Sequence, residues 1–337
     1  MTTASLIEWF IKSLIIILGM TVGFAYLTYF ERRVLARIQV RIGPNRAGPF
    51  GLLQPIADAV KLIFKEELVP AKADKLIFTL APILTVFPAL VITAVVPWGT
   101  SIHLFGRTIT LGLMDVNVGV LYIMAIASIS VYGIALAGWS SNNKYAMMGG
   151  MRAAAQMLSY ELALGLAFVP PIMMAGSMSL LVHVQAQQHI GWLRWLVYQP
   201  FGPLIFLIAS IAEVNRAPFD MPEAEQELTA GFHTEYSGMK FALFYMAEYI
   251  KMIAVSMIAA TLFFGGYLGP FVDRFPLLGP VYLLIKTVIL LFIMVWLRAT
   301  LPRIRYDRLM SFGWKVMLPL SLLNVFITAL LIVLVGV

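Results

Sequence analysis

The chemistry that this chain could perform is concentrated in an acidic run from Glu213 to Glu235, between two strongly apolar segments. Six of the seventeen acidic residues of the chain lie in this run. They are Glu213, Asp220, Glu223, Glu225, Glu227 and Glu235. Arg216 is the only fixed positive charge in the run. Carboxylates are costly near a bilayer, so the cluster indicates protons, a cation or a docked basic partner.

Single charges also occur within the apolar segments or at their ends. They are Glu161, Glu213, Glu248, Lys251 and Lys286. Glu248 and Lys251 are three residues apart and share a helix face, which fits either a structural ion pair or a proton relay. Glu161 and Glu213 have no partner nearby in the sequence. A carboxylate buried without a partner holds or passes a proton near neutral pH.

The composition indicates what positions these charges. Hydrophobic residues make up 61% of the 337 positions and charged residues only 12%, about half the usual share in soluble domains. The sequence therefore predicts an all-α, polytopic integral membrane protein surrounded by a lipid bilayer. The net charge of +7 arises from loops between apolar spans, where basic residues report topology and lipid contact. We therefore expect no nucleic-acid binding.

The residue types also limit the cofactors. The chain contains no cysteine, which excludes thiolate-held iron–sulfur clusters, Cys-type zinc sites and disulfides within it. His103, His183 and His189 are predicted to lie in connecting loops, which argues against haem held by facing helices. The sequence has no glycine-rich phosphate loop. We expect no metal and no covalently bound cofactor, and assign any redox cofactor to another polypeptide.

Eight apolar segments are close to the roughly 20 residues needed to cross a bilayer core of about 30 Å. They are approximately Ser13 to Phe30, Leu76 to Val96, Val118 to Ala137, Leu162 to Leu181, Trp195 to Ala212, Phe241 to Leu268, Leu277 to Leu297 and Met317 to Val337. Pro200 and Pro203 interrupt the fifth. The sequence contains no internal repeat, so residues 1–337 are predicted to form a single integral membrane domain with about eight transmembrane helices.

The basic residues divide unequally between the two sides of this arrangement. Eighteen of the 24 lysines and arginines fall in or beside four loops, about 31–75, 138–161, 213–240 and 298–316. The opposite side has Lys12, Arg107, Arg194 and Arg274. By the positive-inside rule the four loops are cytoplasmic and both termini are periplasmic. The absence of a cleavable signal pattern suits a bacterial inner membrane.

The first of these loops is predicted to contain an amphipathic helix at the membrane surface. Its apolar residues recur at helical spacing opposite polar ones between Leu52 and Lys65. The turn-rich stretch from Gly43 to Pro49 precedes it. Amphipathic helices are therefore expected in the long cytoplasmic loops.

The longest of several informative polar strings runs from Glu213 through Asn215, Arg216, Ala217, Pro218, Phe219 and Asp220 to Glu223, Glu225 and Glu227. It closely resembles the signature of the H-subunit family of the proton-pumping NADH-quinone oxidoreductase, respiratory complex I, whose mitochondrial members are called subunit 1. The others are Phe30-Glu31-Arg32, Gly43-Pro44-Asn45-Arg46, Gly51-Leu52-Leu53-Gln54-Pro55, Ser159-Tyr160-Glu161, Met246-Ala247-Glu248-Tyr249 and Pro302-Arg303-Ile304-Arg305-Tyr306-Asp307. These strings occur in the same order along nearly the whole chain and lie in polar loops or at their edges. Chance similarity between apolar sequences would not reproduce such polar loops, so the match is specific.

The resemblance implies a membrane-arm subunit that lines part of a quinone access chamber and links quinone reduction to proton translocation. Quinone, such as ubiquinone, is then a substrate, with FMN and the iron–sulfur clusters on other subunits. The implied partners are the hydrophilic-arm subunits of the quinone site and adjacent small membrane subunits. The implied proton path comprises Glu161, Glu213 and Glu248 with the acidic loop of Glu223, Glu225 and Glu227. The implied quinone chamber comprises Glu31, Arg32, Asp58, Arg216, Phe219 and Asp220.

Three other functions are alternatives to this interpretation of the sequence. A homologous subunit of a membrane-bound hydrogenase, or of a dehydrogenase with another electron donor, shares this scaffold but not necessarily the quinone. An autonomous cation transporter would use the acidic loop as a vestibule, but it predicts polar residues spread through the spans. A purely structural anchor is difficult to reconcile with carboxylates at membrane depth.

The topology is tested with single cysteines, because the chain has none of its own. We predict that cysteines at Gly43, Asn143, Glu225 and Arg305 react with a membrane-impermeant thiol reagent only from the cytoplasmic side, and cysteines at either terminus only from the periplasm. Reaction of the Glu225 cysteine from the periplasm would refute the assignment.

Overall fold

A computed structural model describes residues 3–104, 107–220, 231–272 and 274–335, and it confirms the all-α membrane architecture. In the described part of the chain there are twelve α-helices. They are α1 (Thr3–Ile38), α2 (Gln54–Phe64), α3 (Lys75–Ile92), α4 (Gly119–Ser140), α5 (Lys144–Ala175), α6 (Leu180–Ile190), α7 (Trp192–Tyr198), α8 (Gly202–Glu213), α9 (Gly238–Phe263), α10 (Leu278–Thr300), α11 (Tyr306–Phe312) and α12 (Leu318–Val335). A π-helical turn at Gly313–Met317 joins the last two.

The small amount of β-structure lies outside the helical bundle. Strands β1 (Ser101–Leu104) and β2 (Arg107–Thr110) form an antiparallel hairpin in which Ser101 pairs with Thr110. The hairpin joins α3 to α4 on the side opposite the basic loops. It was not predicted from the sequence.

Within the four described ranges, seven helical segments are long and apolar enough to cross a membrane, and the fifth predicted span differs from expectation. It is divided into α7 and α8 at Gln199–Phe201. Pro203 lies in the first turn of α8, the part of a helix where its missing N–H is tolerated. With twelve residues, α8 rises only about 18 Å, less than the bilayer core of about 30 Å.

Helix α12 supplies hydrogen-bond partners to the backbone at this break between α7 and α8. The amide N–H of Phe201 donates to Oδ1 of Asn324 at 3.3 Å, and the hydroxyl of Thr328 donates to the carbonyl of Tyr198 at 3.0 Å. Both Asn324 and Thr328 are buried. Irregular backbone at membrane depth requires such partners, because lipid supplies none.

The prediction that His183 and His189 lie in loops is wrong, because both are part of α6. His183 is buried, and its Nδ1 lies 2.7 Å from the carbonyl of Ser179. Burial lowers the pKa of His183, so its imidazole is neutral. The sequence predicted a short helix in a connecting segment only at α2, where apolar residues recur clearly at helical spacing.

Helix α9 forms the centre of the bundle and packs against α1, α3, α8 and α10. Helices α3, α4 and α5 pack in series beside it. Long α5, with 32 residues, extends about 48 Å and therefore beyond a single bilayer core. Gln156 and Glu161, in the middle of α5, lie beside the C-terminal end of α8.

Close approach of α3 and α4 depends on glycine at position 133. A Cβ atom on Gly133 would lie 2.5 Å from Cγ2 of Thr85 and 2.9 Å from the carbonyl oxygen of Ala81. Small residues permit such close helix contacts inside membranes. On α1, by contrast, a Cβ on Gly19 would meet nothing within 4 Å.

We predict opposite effects of alanine at these two helical glycines. Gly133→Ala should destabilise the assembled protein by about 1–3 kcal/mol, because α3 and α4 must separate. Gly19→Ala should be neutral, or stabilising by up to about 1 kcal/mol, through helix propensity. Thermal unfolding in detergent measures both, and equal Tm values for the two variants would contradict the packing argument.

Candidate functional site

The candidate site is built around the end of α8, where the chain leaves its helix inside the bundle. Glu213 is the last residue of α8 and is only 5% exposed. Residues 214–220 form an irregular turn, and every one of them is buried. Asn215 adopts a left-handed conformation with φ of 56°, a region that asparagine tolerates better than most residues.

Gln156 of α5 holds this turn together. Its Nε2 donates to the carbonyls of Ala212 at 2.8 Å and Phe219 at 2.6 Å, and Oδ1 of Asn215 lies at 3.2 Å. Gln156 is completely buried. One amide therefore satisfies acceptors on both sides of the turn, which fixes the position of Glu213.

A carboxylate cluster converges on Glu213 from three helices. Lys251 of α9 interacts electrostatically with Glu213, Glu248 and Glu161, most strongly with Glu213. Glu161 of α5 also interacts with Glu213. The structure thus brings together the three carboxylates that the sequence assigned to a proton path.

Two serines of α4 extend this cluster. The hydroxyl of Ser128 donates to Oε1 of Glu161, and Nζ of Lys251 donates to the hydroxyl of Ser130. Neither serine was singled out in the sequence. Their only signal there is a pair of small polar residues in an otherwise apolar span, which is common in membrane helices and therefore uninformative.

Two small cavities border the cluster. One, of about 30 Å³, is lined by Glu161, Glu213 and Lys251 together with apolar side chains. The other, of about 20 Å³, is lined by Glu213, Glu248 and Lys251. A cavity needs about 10–15 Å³ to hold one water molecule. Each cavity is therefore large enough for a water between carboxylates, and Glu213 and Lys251 belong to both.

A second buried set of charges surrounds Arg216, which is 6% exposed. Its Nη2 lies 3.7 Å from Oε2 of Glu31, and its guanidinium stacks 4.1 Å from the ring centre of Tyr249. Arg298 donates a hydrogen bond to Oε1 of the same Glu31. Glu31 therefore links α1, α10 and the buried turn.

Arg216 also connects this set to the carboxylate cluster. Burial opposes its charged form, but Tyr249, Glu31 and Glu248 outweigh burial and raise the pKa of Arg216. The guanidinium stays charged at any pH the protein meets. Because Glu248 also interacts with Lys251, one continuous electrostatic chain leads from Glu31 to Glu213.

The end of the turn is attached to the loop after α10. Nη2 of Arg303 lies 3.1 Å from Oδ2 of Asp220, and the amide of Ile304 donates to the carbonyl of Pro218 at 3.2 Å. The ring of Phe219 packs 5.7 Å from that of Tyr160. Phe219 and Asp220 are both buried, so the structure makes them part of the protein interior.

Arg32 and Asp58 lie apart from these buried residues. They pair with each other at 2.6 Å between α1 and α2, and the side chain of Arg32 is about half exposed. The six residues predicted for a quinone chamber thus fall into three groups: Glu31 with Arg216, Phe219 with Asp220, and Arg32 with Asp58. Tyr249 and Arg298, which hold the first group, were not predicted as site residues.

Part of the acidic loop lies outside the described residues. Glu223, Glu225 and Glu227 belong to residues 221–230, so their placement stays a prediction. Beyond them, Glu235 accepts a hydrogen bond from Asn143 at 2.7 Å. His233 is buried among aromatic rings, including Phe232, and burial lowers its pKa to about 3.

Comparison with known proteins shows one family. The profile described as NADH dehydrogenase matches residues 11–329. The H subunit of NADH-quinone oxidoreductase from Thermomicrobium roseum is 52% identical over 315 residues, covering 91% of this chain and 90% of the relative. The second H subunit of that enzyme from Syntrophobacter fumaroxidans is 51% identical over 327 residues, covering 97% and 96%. The second H subunit from Geobacter sulfurreducens is 53% identical over 304 residues, covering 90% of each.

We predict that Gln156→Met loosens the buried turn. The change keeps the length of the side chain but removes its donors, at a cost of about 1–3 kcal/mol for each buried acceptor left alone. Amide hydrogen exchange across residues 212–220 should become faster. Gln185→Met, at an exposed position of α6, is the matched control, and equal exchange in both variants would show that other contacts hold the turn.

Proposed function

Because this chain belongs to the H-subunit family of NADH-quinone oxidoreductase and is a membrane subunit of that enzyme complex, we propose that it couples quinone reduction to proton translocation. In this proposal the chain forms part of the quinone access chamber and carries protons through buried carboxylates. The relatives compared above carry the NADH-quinone oxidoreductase name, which favours the quinone enzyme over the hydrogenase alternative.

Glu161, Glu213, Glu248 and Lys251 line two cavities that share Glu213 and Lys251, and this is the observation that supports the proton path most strongly. Three carboxylates interact with the ammonium of Lys251, and Arg216 adds a second positive charge beside Glu248, so negative charge stays in excess in this apolar interior. A cluster of this kind shares protons, and its members titrate together instead of singly. Water-sized cavities between the groups make transfer through single water molecules feasible.

Arg216 offers a physical link between quinone chemistry and this cluster. It interacts with Glu31 on one side and Glu248 on the other. Reduction of a quinone to a quinol adds two electrons and two protons. A charge change close to Glu31 would alter the field that Arg216 exerts on Glu248, and protons in the cluster would redistribute in response.

The proposed chamber residues then have different roles. Glu31 pairs with both Arg216 and Arg298, so we assign Glu31 and Arg216 to the chamber wall. Arg32 and Asp58 form its exposed rim beside α2. Phe219 and Asp220 anchor the turn under the chamber, and the loop of Glu223, Glu225 and Glu227 continues from it. Head-group ligands from other subunits complete the site.

The wider setting follows from the same proposal. FMN and the iron–sulfur clusters lie on other subunits, so the isolated chain is inactive. The four basic loops are cytoplasmic and dock the hydrophilic-arm subunits of the quinone site, while small membrane subunits pack alongside. Both termini are periplasmic in a bacterial inner membrane. The separation of basic loops onto one side supports this orientation.

We predict that Glu213→Gln and Glu161→Gln each lower quinone reductase activity and coupled proton movement by about 10²-fold while the complex still assembles. Each change keeps the shape of the side chain and removes its titratable group, and a positioned acid or base contributes about 10²–10⁴-fold. The reference variant is Glu8→Gln, because Glu8 pairs with Lys12 near the N-terminus and has no proposed role.

The measurements are NADH-driven quinone reduction and proton uptake into vesicles, both normalised to assembled complex. Activity of the two buried variants equal to that of Glu8→Gln would place the proton path elsewhere. Loss of assembly instead of activity would assign these carboxylates a structural role.

A further inference from the structure

A large cleft lies where the chain leaves the C-terminal end of α9. It has a volume of about 660 Å³ and is bordered by α6, the segment that follows α9, and α10. It shares no lining residue with the two small cavities of the carboxylate cluster. Because the basic loops precede α9 and follow α10, this cleft belongs to the opposite side of the protein.

Lys286 of α10 is the charged group in this cleft. Its ammonium donates to the carbonyls of Gly266 at 2.8 Å and Leu268 at 2.7 Å. An ammonium has three N–H donors. Among the described residues no carboxylate forms an ion pair with Lys286, so the third donor is available to a ligand.

A capping role explains part of this arrangement. Gly265 and Gly266 have positive φ angles and end α9, so their segment turns carbonyls towards Lys286. The C-terminus of a helix carries only about half a negative charge. Capping therefore neutralises Lys286 incompletely, and it does not account for the adjoining cleft.

Apart from Lys286, the lining of the cleft is largely apolar. Phe264, Leu268, Leu290 and Ile293 form its walls. Ile289 lines it as well and is 54% exposed, so the cleft opens onto the outer apolar face of α10. In a multi-pass membrane protein such an outer apolar face meets lipid chains or a neighbouring subunit.

The chain around the cleft is basic. Arg194 follows the lining residue Gly191 by three positions, and Arg274 follows Val272 by two; both arginines are exposed. Lys286, Arg194 and Arg274 are three positive charges at a lining residue or within three positions of one in the sequence. The one acidic residue within that distance in the sequence is Asp273, which lies outside the described residues.

We propose that this cleft binds an anionic phospholipid from the leaflet opposite the basic loops. The phosphate accepts a hydrogen bond from Lys286 and is flanked by Arg194 and Arg274. One acyl chain lies along Phe264, Leu268 and the α10 wall. The volume falls within the range of about 300–1,000 Å³ that is usual for sites of small ligands, in which a few polar groups orient an apolar body.

A phospholipid fits better than a helix of a neighbouring subunit. An apolar helix would leave the third donor of Lys286 unpaired in an apolar setting. A lipid supplies an anion and a slender chain in one molecule.

The test uses the intact complex reconstituted with phosphatidylglycerol that carries a photoreactive diazirine in one acyl chain. Peptides that contain residues 264–293 should be labelled. Lys286→Gln should lower this labelling about fivefold, the change expected for about 1 kcal/mol per basic residue near an anionic lipid. The same probe with a phosphatidylcholine head group should label less.

Three variants make the result specific. Lys12→Gln removes a lysine of the same side away from the cleft and should leave labelling unchanged. Lys286→Arg should retain labelling, and Ile289→Trp should reduce it by filling the cleft while Lys286 remains. If Lys286→Gln fails to assemble, the last two variants alone decide the proposal.

Two outcomes would overturn the proposal. One is equal labelling in the wild type, Ile289→Trp and Lys286→Gln. The other is efficient disulfide or photo-crosslinking of a residue introduced at Ile289 to a neighbouring subunit, which would show that a protein segment occupies the cleft.

Discussion

The burial of an irregular turn inside an apolar bundle is the constraint on which the rest of the structure depends. Residues 214–220 leave the helix inside the protein, where apolar neighbours offer no hydrogen bonds to the freed backbone groups. Gln156, the Arg303 loop and Tyr160 therefore surround the turn. Without these partners each unpaired group would cost about 1–3 kcal/mol, a large fraction of the stability of a domain.

The same constraint explains why the charges form networks instead of isolated pairs. A single buried ion pair often fails to recover its desolvation cost, and removal of one partner is strongly destabilising. Here Glu31 interacts with two arginines, and Lys251 with three carboxylates. Arg216 belongs to both sets through Glu31 and Glu248. Such sharing gives every charge an opposite neighbour while leaving the protonation state of the cluster adjustable, which proton coupling requires.

The close contacts that hold the helices together lie apart from the cluster of titratable side chains. Close helix contacts, such as that of Gly133 with α3, hold the bundle without polar groups. Apolar residues on α1 and α10 remain exposed and meet lipid or neighbouring subunits. The cleft at Lys286 lies at this periphery and shares no lining residue with the cavities of the carboxylate cluster.

The sequence by itself determined the membrane class, seven of the spans and the helix α2, because apolar length and period are local signals. It also determined the family, through its polar strings, and the presence of Glu161, Glu213 and Glu248 within or at the end of apolar helices. Only the tertiary structure decided the division of the fifth span, the helical position of His183 and the grouping of Glu31 with Arg216. It also decided that Arg32 pairs with Asp58 away from them. Which polar groups meet depends on helix rotation and on contacts between residues far apart in the chain, and local periodicity contains no information about either.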